Sequence, residues 1–203
     1  MSDLRIALTF DAEHPSRSGA SPDSPGRILD TLAEADVRAT FFVQGRWATA
    51  YPDLARRIAG DGHLVGNHSN YHAPMTLLAA EGVATDIREA ERRIGDVLGV
   101  DPRPWFRCPF GDGEDDPVVR ETTAGLGYSI VPWDLDSGDW REDATPDRVR
   151  RTVTDGAARP GPEPVVVLFH TWPASTAAAL PGVLEDLAAR GAEFRTVDQA
   201  AGR

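Results

Sequence analysis

Short apolar runs and stretches with apolar residues at helical spacing take turns along the whole chain. The runs over 5–10, 39–43, 63–66, 105–109, 128–133, 165–169 and 194–197 predict strands. Between them, Ile28, Leu29, Leu32 and Ala35 fall at helical spacing, and 52–59 predicts a helix stopped by Gly60 and Gly62. The clearest helix is predicted over 76–99, where Val83, Ile87, Ala90, Ile94 and Leu98 make one apolar stripe. Further helices are predicted over 118–126, 146–156 and 180–190, and a loop rich in Ser, Pro and Gly over 15–26.

Repeated strand–helix units imply parallel strands with helices outside, because each parallel crossover takes up its length as a helix. The expected fold class is α/β, a distorted (β/α) barrel of about seven parallel strands. A barrel is favoured over an open doubly wound sheet because the polar residues gather where the strands end. No linker, repeat or low-complexity tract divides the chain, so residues 1–203 are expected to form a single domain.

Composition narrows the chemistry. Hydrophobic residues make up 41% and charged residues 26%, an ordinary globular balance, and no apolar run is long enough to span a membrane. The net charge of −11 repels phosphate backbones, so no nucleic-acid partner is expected. All 21 basic residues are Arg, which removes P-loop, Schiff-base and pyridoxal-phosphate lysines together. The single cysteine, Cys108, excludes an internal disulfide. The opening Met-Ser-Asp-Leu-Arg lacks the layout of a signal peptide, so a cytoplasmic location is expected.

Several clusters carry candidate chemistry. His68 and His72 are four apart, which on a helical turn puts both on one face within reach of one metal ion; the bland alternative is two surface histidines. Past the first strand lie Asp11 and Glu13, which share a side if the chain stays extended, with Ala12 opposite; a helix cap or loop is the alternative. Phe106 to Gly111, with Arg107, and Trp133 to Trp140, with Asp136 and Asp139, sit at other strand ends, and His170 follows a buried-type strand. Cys108 reads mainly as packing, and Trp105, Trp172 and Tyr71 as rim or core residues able to stack on a sugar. Asp112 to Asp116 reads as a solvated loop and helix start, and Asp136 as a cap for the turn that presents Asp139.

Taken in order, Thr9-Phe10-Asp11-Ala12, His68 to His72, Arg107 to Phe110, Asp136 to Trp140 and Leu168-Phe169-His170 resemble the five motifs of the polysaccharide deacetylase family (the NodB-homology, or carbohydrate esterase family 4, group). The resemblance implies a NodB-like distorted barrel and one divalent metal ion, most often zinc, held by His68 and His72. It implies Asp11 as general base toward metal-activated water and His170 as the acid for the leaving group. Arg107 would pair with Asp11 and Asp139 with His170, the backbone N–H of Phe110 would face the oxyanion, and Trp140 and Leu168 would wall the acyl pocket. One position departs from the pattern: the family's second aspartate, its third metal ligand, is Ala12 here. Some branches of the family carry Asp-x-Glu instead, which makes Glu13 the expected third ligand, with His14 a weaker substitute.

The expected activity is metal-dependent hydrolysis of a non-peptide carbon–nitrogen bond, removing an acyl group, foremost acetyl, from an amino sugar or related small molecule. With no signal peptide or carbohydrate-binding domain read from the sequence, a soluble carbohydrate or small-molecule amide is expected rather than cell-wall polymer. Two alternatives stay open: a hydrolase of a non-sugar amide or cyclic imide, and a catalytically silent carbohydrate-binding relative.

Overall fold

The strand β1 (Arg5–Ala12) is buried on both faces apart from Arg5, as a parallel strand with helices outside must be. The computed structural model describes residues 4–13, 20–157 and 164–200. Around β1 lie β2 (Thr40–Val43), β3 (Leu64–Asn67), β4 (Trp105–Phe106), β5 (Ser129–Ile130), β6 (Leu135–Asp136) and β7 (Val165–His170). These pair in the order β5-β4-β3-β2-β1-β7-β6, every pairing parallel. The seven strands curl into a half-barrel surrounded by helices, the expected fold. An eighth strand, β8 (Glu193–Arg195), pairs with Arg5–Ala7 at the start of β1. The two ends of the path, β5 and β6, are not paired with each other among the described residues.

Alternation along β1 sorts its residues into two layers. Ile6, Leu8, Phe10 and Ala12 join the main hydrophobic cluster, which also takes Ile28, Leu29 and Leu32 from α1 (Ser24–Glu34). There Phe10 stacks on Phe41 of β2 at 5.0 Å and on Phe169 of β7 at 5.3 Å, with registers Phe10↔Phe41 and Phe10↔Phe169. Thr9 and Asp11 turn to the opposite face, toward Arg107.

The helices confirm most of the periodicity and shift some boundaries. α2 (Gly45–Ala50) precedes the expected α3 (Pro52–Gly60), and α4 (Ala80–Leu98) begins after a single 3-10 turn at Met75–Leu77. Asp116 caps α5 (Pro117–Gly125) by accepting from the N–H groups of Val118 and Val119, and Thr145 caps α6 (Pro146–Gly156). α7 (Ala174–Ala189) starts six residues before the expected 180. Pro181 sits inside α7, after an alanine-rich turn of high helix propensity. A short α8 (Val197–Ala200) follows β8. No helix among the described residues is long and apolar enough to cross a membrane.

Candidate active site

The chemical residues converge at the C-terminal ends of β1, β3, β4, β6 and β7, where a parallel barrel leaves its loops free to vary. Asp11 is the next-to-last residue of β1 and Glu13 the first residue past it. Both are buried, and both reach His68: its Nε2 is 3.5 Å from Asp11 Oδ2 and 3.2 Å from Glu13 Oε2.

His68 and His72 meet through a loop and not through the helical turn their spacing suggested. Ser69 and His72 both have left-handed backbones, with φ of 61° and 58°. That strained path is held from three sides. Asn67 accepts from the Ser69 N–H at 2.9 Å, and the Ser69 hydroxyl accepts from the His72 N–H at 3.0 Å. Asp86, buried on α4, accepts from the N–H groups of Asn70 and Tyr71 at 3.1 and 3.0 Å. The result sets the two Nε2 atoms 3.1 Å apart.

Glu13, His68 and His72 offer one ligand atom each, all within 4.8 Å of one another and all buried. His72 Nε2 makes a very short contact with Glu13 Oε2. Two imidazole nitrogens and one carboxylate oxygen are a donor set that suits zinc. The supporting shell fits as well: His68 Nδ1 donates to the Arg107 carbonyl at 2.9 Å, which leaves Nε2 as the ligand atom. Burial pushes the Glu13 carboxyl up, but hydrogen bonds from His68 and His72 and the charge of His170 outweigh it and hold it well below the usual range. Burial would lower His68; Asp11 and Glu13 beside it raise it instead. His14 lies outside the described residues.

Arg107, fully buried, runs from the end of β4 across the interior. Its Nη1 donates to Asp11 Oδ1 at 2.9 Å and to the Thr9 hydroxyl at 2.8 Å, while Nε and Nη2 reach the carbonyls of Val131 and Pro132. The guanidinium also lies over the Phe42 ring, 4.1 Å from its centroid. On the opposite wall, Asp139 accepts from His170 Nδ1 at 2.7 Å and from the hydroxyl of Thr176 on α7 at 2.6 Å. Burial would push the His170 imidazole down, but the charge and hydrogen bond of Asp139, with Glu13 and Asp11 behind them, push it up to about 10.

A cavity of about 430 Å³ opens over these groups, lined by Asp11, Glu13, His72 and His170 and walled by Phe110, Trp133, Asp136, Trp140, Leu168 and Trp172. Phe110 adopts φ 60° in the Pro109–Gly111 turn, which sets its ring edge-on to His72 at 4.4 Å. Asp136 accepts from the Gly138 N–H at 2.8 Å and from the Trp140 indole at 3.1 Å, so it does cap the turn that presents Asp139. Cys108 is buried, its thiol pushed up to about 12 by burial, as suits packing. Tyr71 is exposed, and Trp105 packs at the start of β4 outside the cavity.

Two supporting residues escape the sequence reading, and a third is read there for a different role. Asp86 had a signal, a carboxylate at the stripe spacing of Val83, Ile87 and Ala90. Thr176 had none, because the helix start was expected later. Trp172 was noticed only as a flanking aromatic; its indole Nε1 donates to Glu13 Oε1 at 3.1 Å.

The family model described as "Polysaccharide deacetylase" matches residues 1–131. Over 198 residues the chain is 34% identical to the peptidoglycan-N-acetylglucosamine deacetylase PgdA of Listeria monocytogenes, covering 96% of this chain and 38% of that protein's length. It is 36% identical over 168 residues to a chitooligosaccharide deacetylase of Rhizobium leguminosarum bv. trifolii, covering 83% of this chain and 72% of that one. Among solved structures, the family 4 carbohydrate esterase from Streptomyces lividans in complex with acetate superposes with a TM-score of 0.79 at 33% identity, covering 95% and 92% of the two chains.

Proposed function

Since the chain belongs to the polysaccharide deacetylase family, we propose that it is a metal-dependent deacetylase of N-acetylated amino sugars. The observation that carries this reading is the convergence of Glu13, His68 and His72 on one point beside Asp11 and opposite His170. An alanine in place of the usual aspartate has not emptied the metal-ligand set; Glu13 supplies the carboxylate from one residue further on.

Glu13, His68 and His72 would hold a divalent ion, foremost zinc, which when bound supplies Lewis acidity toward the acyl carbonyl and makes water more acidic. Asp11 accepts the proton of the attacking water, and the Arg107 guanidinium, donating to its Oδ1 at 2.9 Å, keeps the carboxylate aimed. His170, held cationic by Asp139, donates its Nε2 proton to the departing nitrogen, so that amide and water become carboxylate and amine. The backbone N–H of Phe110 is the oxyanion donor in this reading, and Leu168 and Trp140 exclude water from the acyl group. Relatives that act on peptidoglycan and on chitooligosaccharides support a carbohydrate substrate.

The test is to strip the purified protein of metal, titrate it with zinc and measure acetate released from N-acetylchitooligosaccharides. One ion bound per chain with acetate release is the expected result. Ring opening of a cyclic imide without acetate would point to the imide alternative, and no zinc binding would leave a silent binding protein.

A further inference from the structure

We propose, on the reading of Glu13 as a metal ligand, that Trp172 is a positioning residue that aims Glu13 at the two histidines. Ala12 is the last residue of β1 in register with β2, opposite Val43, so Glu13 hangs from chain that has left the ladder. A glutamate there also has one more side-chain rotation than an aspartate, and more freedom to lose on ordering. Something must restrict it if it is to bind metal tightly. Its Oε2 faces His68 and His72, and its Oε1 accepts from the Trp172 indole N–H at 3.1 Å.

Trp172 is itself anchored, which is what lets it act as a guide. The residue before it, Thr171, donates its N–H to the Asp11 carbonyl at 3.1 Å, and the Trp172 carbonyl accepts from the Ser21 N–H at 3.0 Å. Its ring tilts against His170 with centroids 5.8 Å apart. The indole N–H is thereby fixed to the same backbone that carries the base, and it takes one carboxylate oxygen so that the other points at the histidines. Ligating carboxylates commonly need such an outer partner, and its loss typically costs about 10–100-fold in metal affinity.

A double-mutant cycle on zinc affinity tests this, using competition against a chromophoric chelator with metal-free wild type, Glu13→Ala, Trp172→Phe and the double variant. Trp172→Phe keeps an aromatic ring and removes the N–H; Trp172→Leu, which also lacks a donor, replaces it if the first does not fold. The expected result is zinc binding weakened by roughly 10–100-fold in Trp172→Phe, with little change in the melting of the metal-free protein, and no further loss when Glu13 is already Ala. Wild-type affinity in Trp172→Phe overturns the inference. So does an equal loss in both backgrounds, which would mark Trp172 as packing alone. Wild-type affinity in Glu13→Ala is a different failure: it removes Glu13 from the ligand set, and the positioning role with it.

Discussion

Asp139 grips His170 at two points: one carboxylate oxygen accepts from the ring Nδ1 at 2.7 Å, and the other from the residue's own backbone N–H at 2.7 Å. One carboxylate thus sets the ring's orientation, its tautomer and its charge. Asp139→Asn keeps the shape and removes the charge that pushes His170 up to about 10. The imidazole should then titrate nearer its ordinary 6.5, so at pH 8 it would be mostly neutral and unable to donate. The basic limb of the pH–rate profile should move toward neutrality, with kcat at pH 8 falling by roughly 30-fold from this effect alone. An unmoved limb would take His170 out of the acid role.

Asp11→Asn separates the proposed base from the proposed metal ligands. Zinc affinity should stay within a few-fold of wild type, while kcat falls by about 10²–10⁴-fold, the usual contribution of a general base. Zinc titration and acetate release on the same preparation check both halves; loss of zinc binding would make Asp11 a ligand.

Arg107→Met should be costly to the fold as well as to activity. Removing one partner of a buried ion pair leaves the other charge stranded, at a cost of about 3–5 kcal/mol. Asp11 would be that stranded charge, since both side chains are almost wholly shielded from water. Urea unfolding of the metal-free protein measures this, and a loss below about 1 kcal/mol would contradict it.

Asp86→Ala removes the acceptor for two N–H groups of the histidine loop. Hydrogen bonds to a charged group contribute about 1.5–3 kcal/mol, so stability should fall by at least that much. Zinc affinity should fall with it, because the left-handed Ser69 and His72 lose their outer anchor. Unchanged zinc affinity would show that Asn67 and Ser69 hold the loop unaided.

His63 offers a test away from the site. It is buried, its Nδ1 accepts from the Ala39 N–H at 3.2 Å, and burial lowers it from 6.5 to about 4. The folded protein therefore resists a proton that the unfolded chain takes up, so stability is lost as pH falls from 6.5 toward 4. Between pH 7 and 4.5 this one group should cost about 2–3 kcal/mol. Urea unfolding of His63→Gln at both values should show a smaller acid loss than wild type.

Much of the fold was legible because the central strands are buried on both faces and read as unbroken apolar runs. Alternation along β1 also placed Asp11 and Glu13 on one side and Ala12 on the other, as found. Legibility failed where local signals are weak or misleading. β5 and β6 are two residues each, and one run over 128–133 blurred the bend that ends the first and leads to the second. The spacing of His68 and His72 points to a meeting of the two rings but not to the left-handed loop that brings their Nε2 atoms within 3.1 Å. Trp172 is 159 positions from Glu13, and only the fold brings its N–H there.

Arg107 can be seen as a tie across an arch. The sheet bends from β5 through β1 to β6 without those two strands pairing among the described residues, yet at its chemical end one side chain ties the foot of β4 to the crown at Asp11 and to the Val131–Pro132 bend that follows β5. The span of the arch and the aim of the Asp11 carboxylate are therefore set by the same group. A change that spreads the sheet must lengthen or break that tie, and it would release the Asp11 carboxylate as it did so. On the proposed function, a broader substrate range would come from the cavity walls at Phe110, Trp140 and Leu168, where side chains can change without touching the tie.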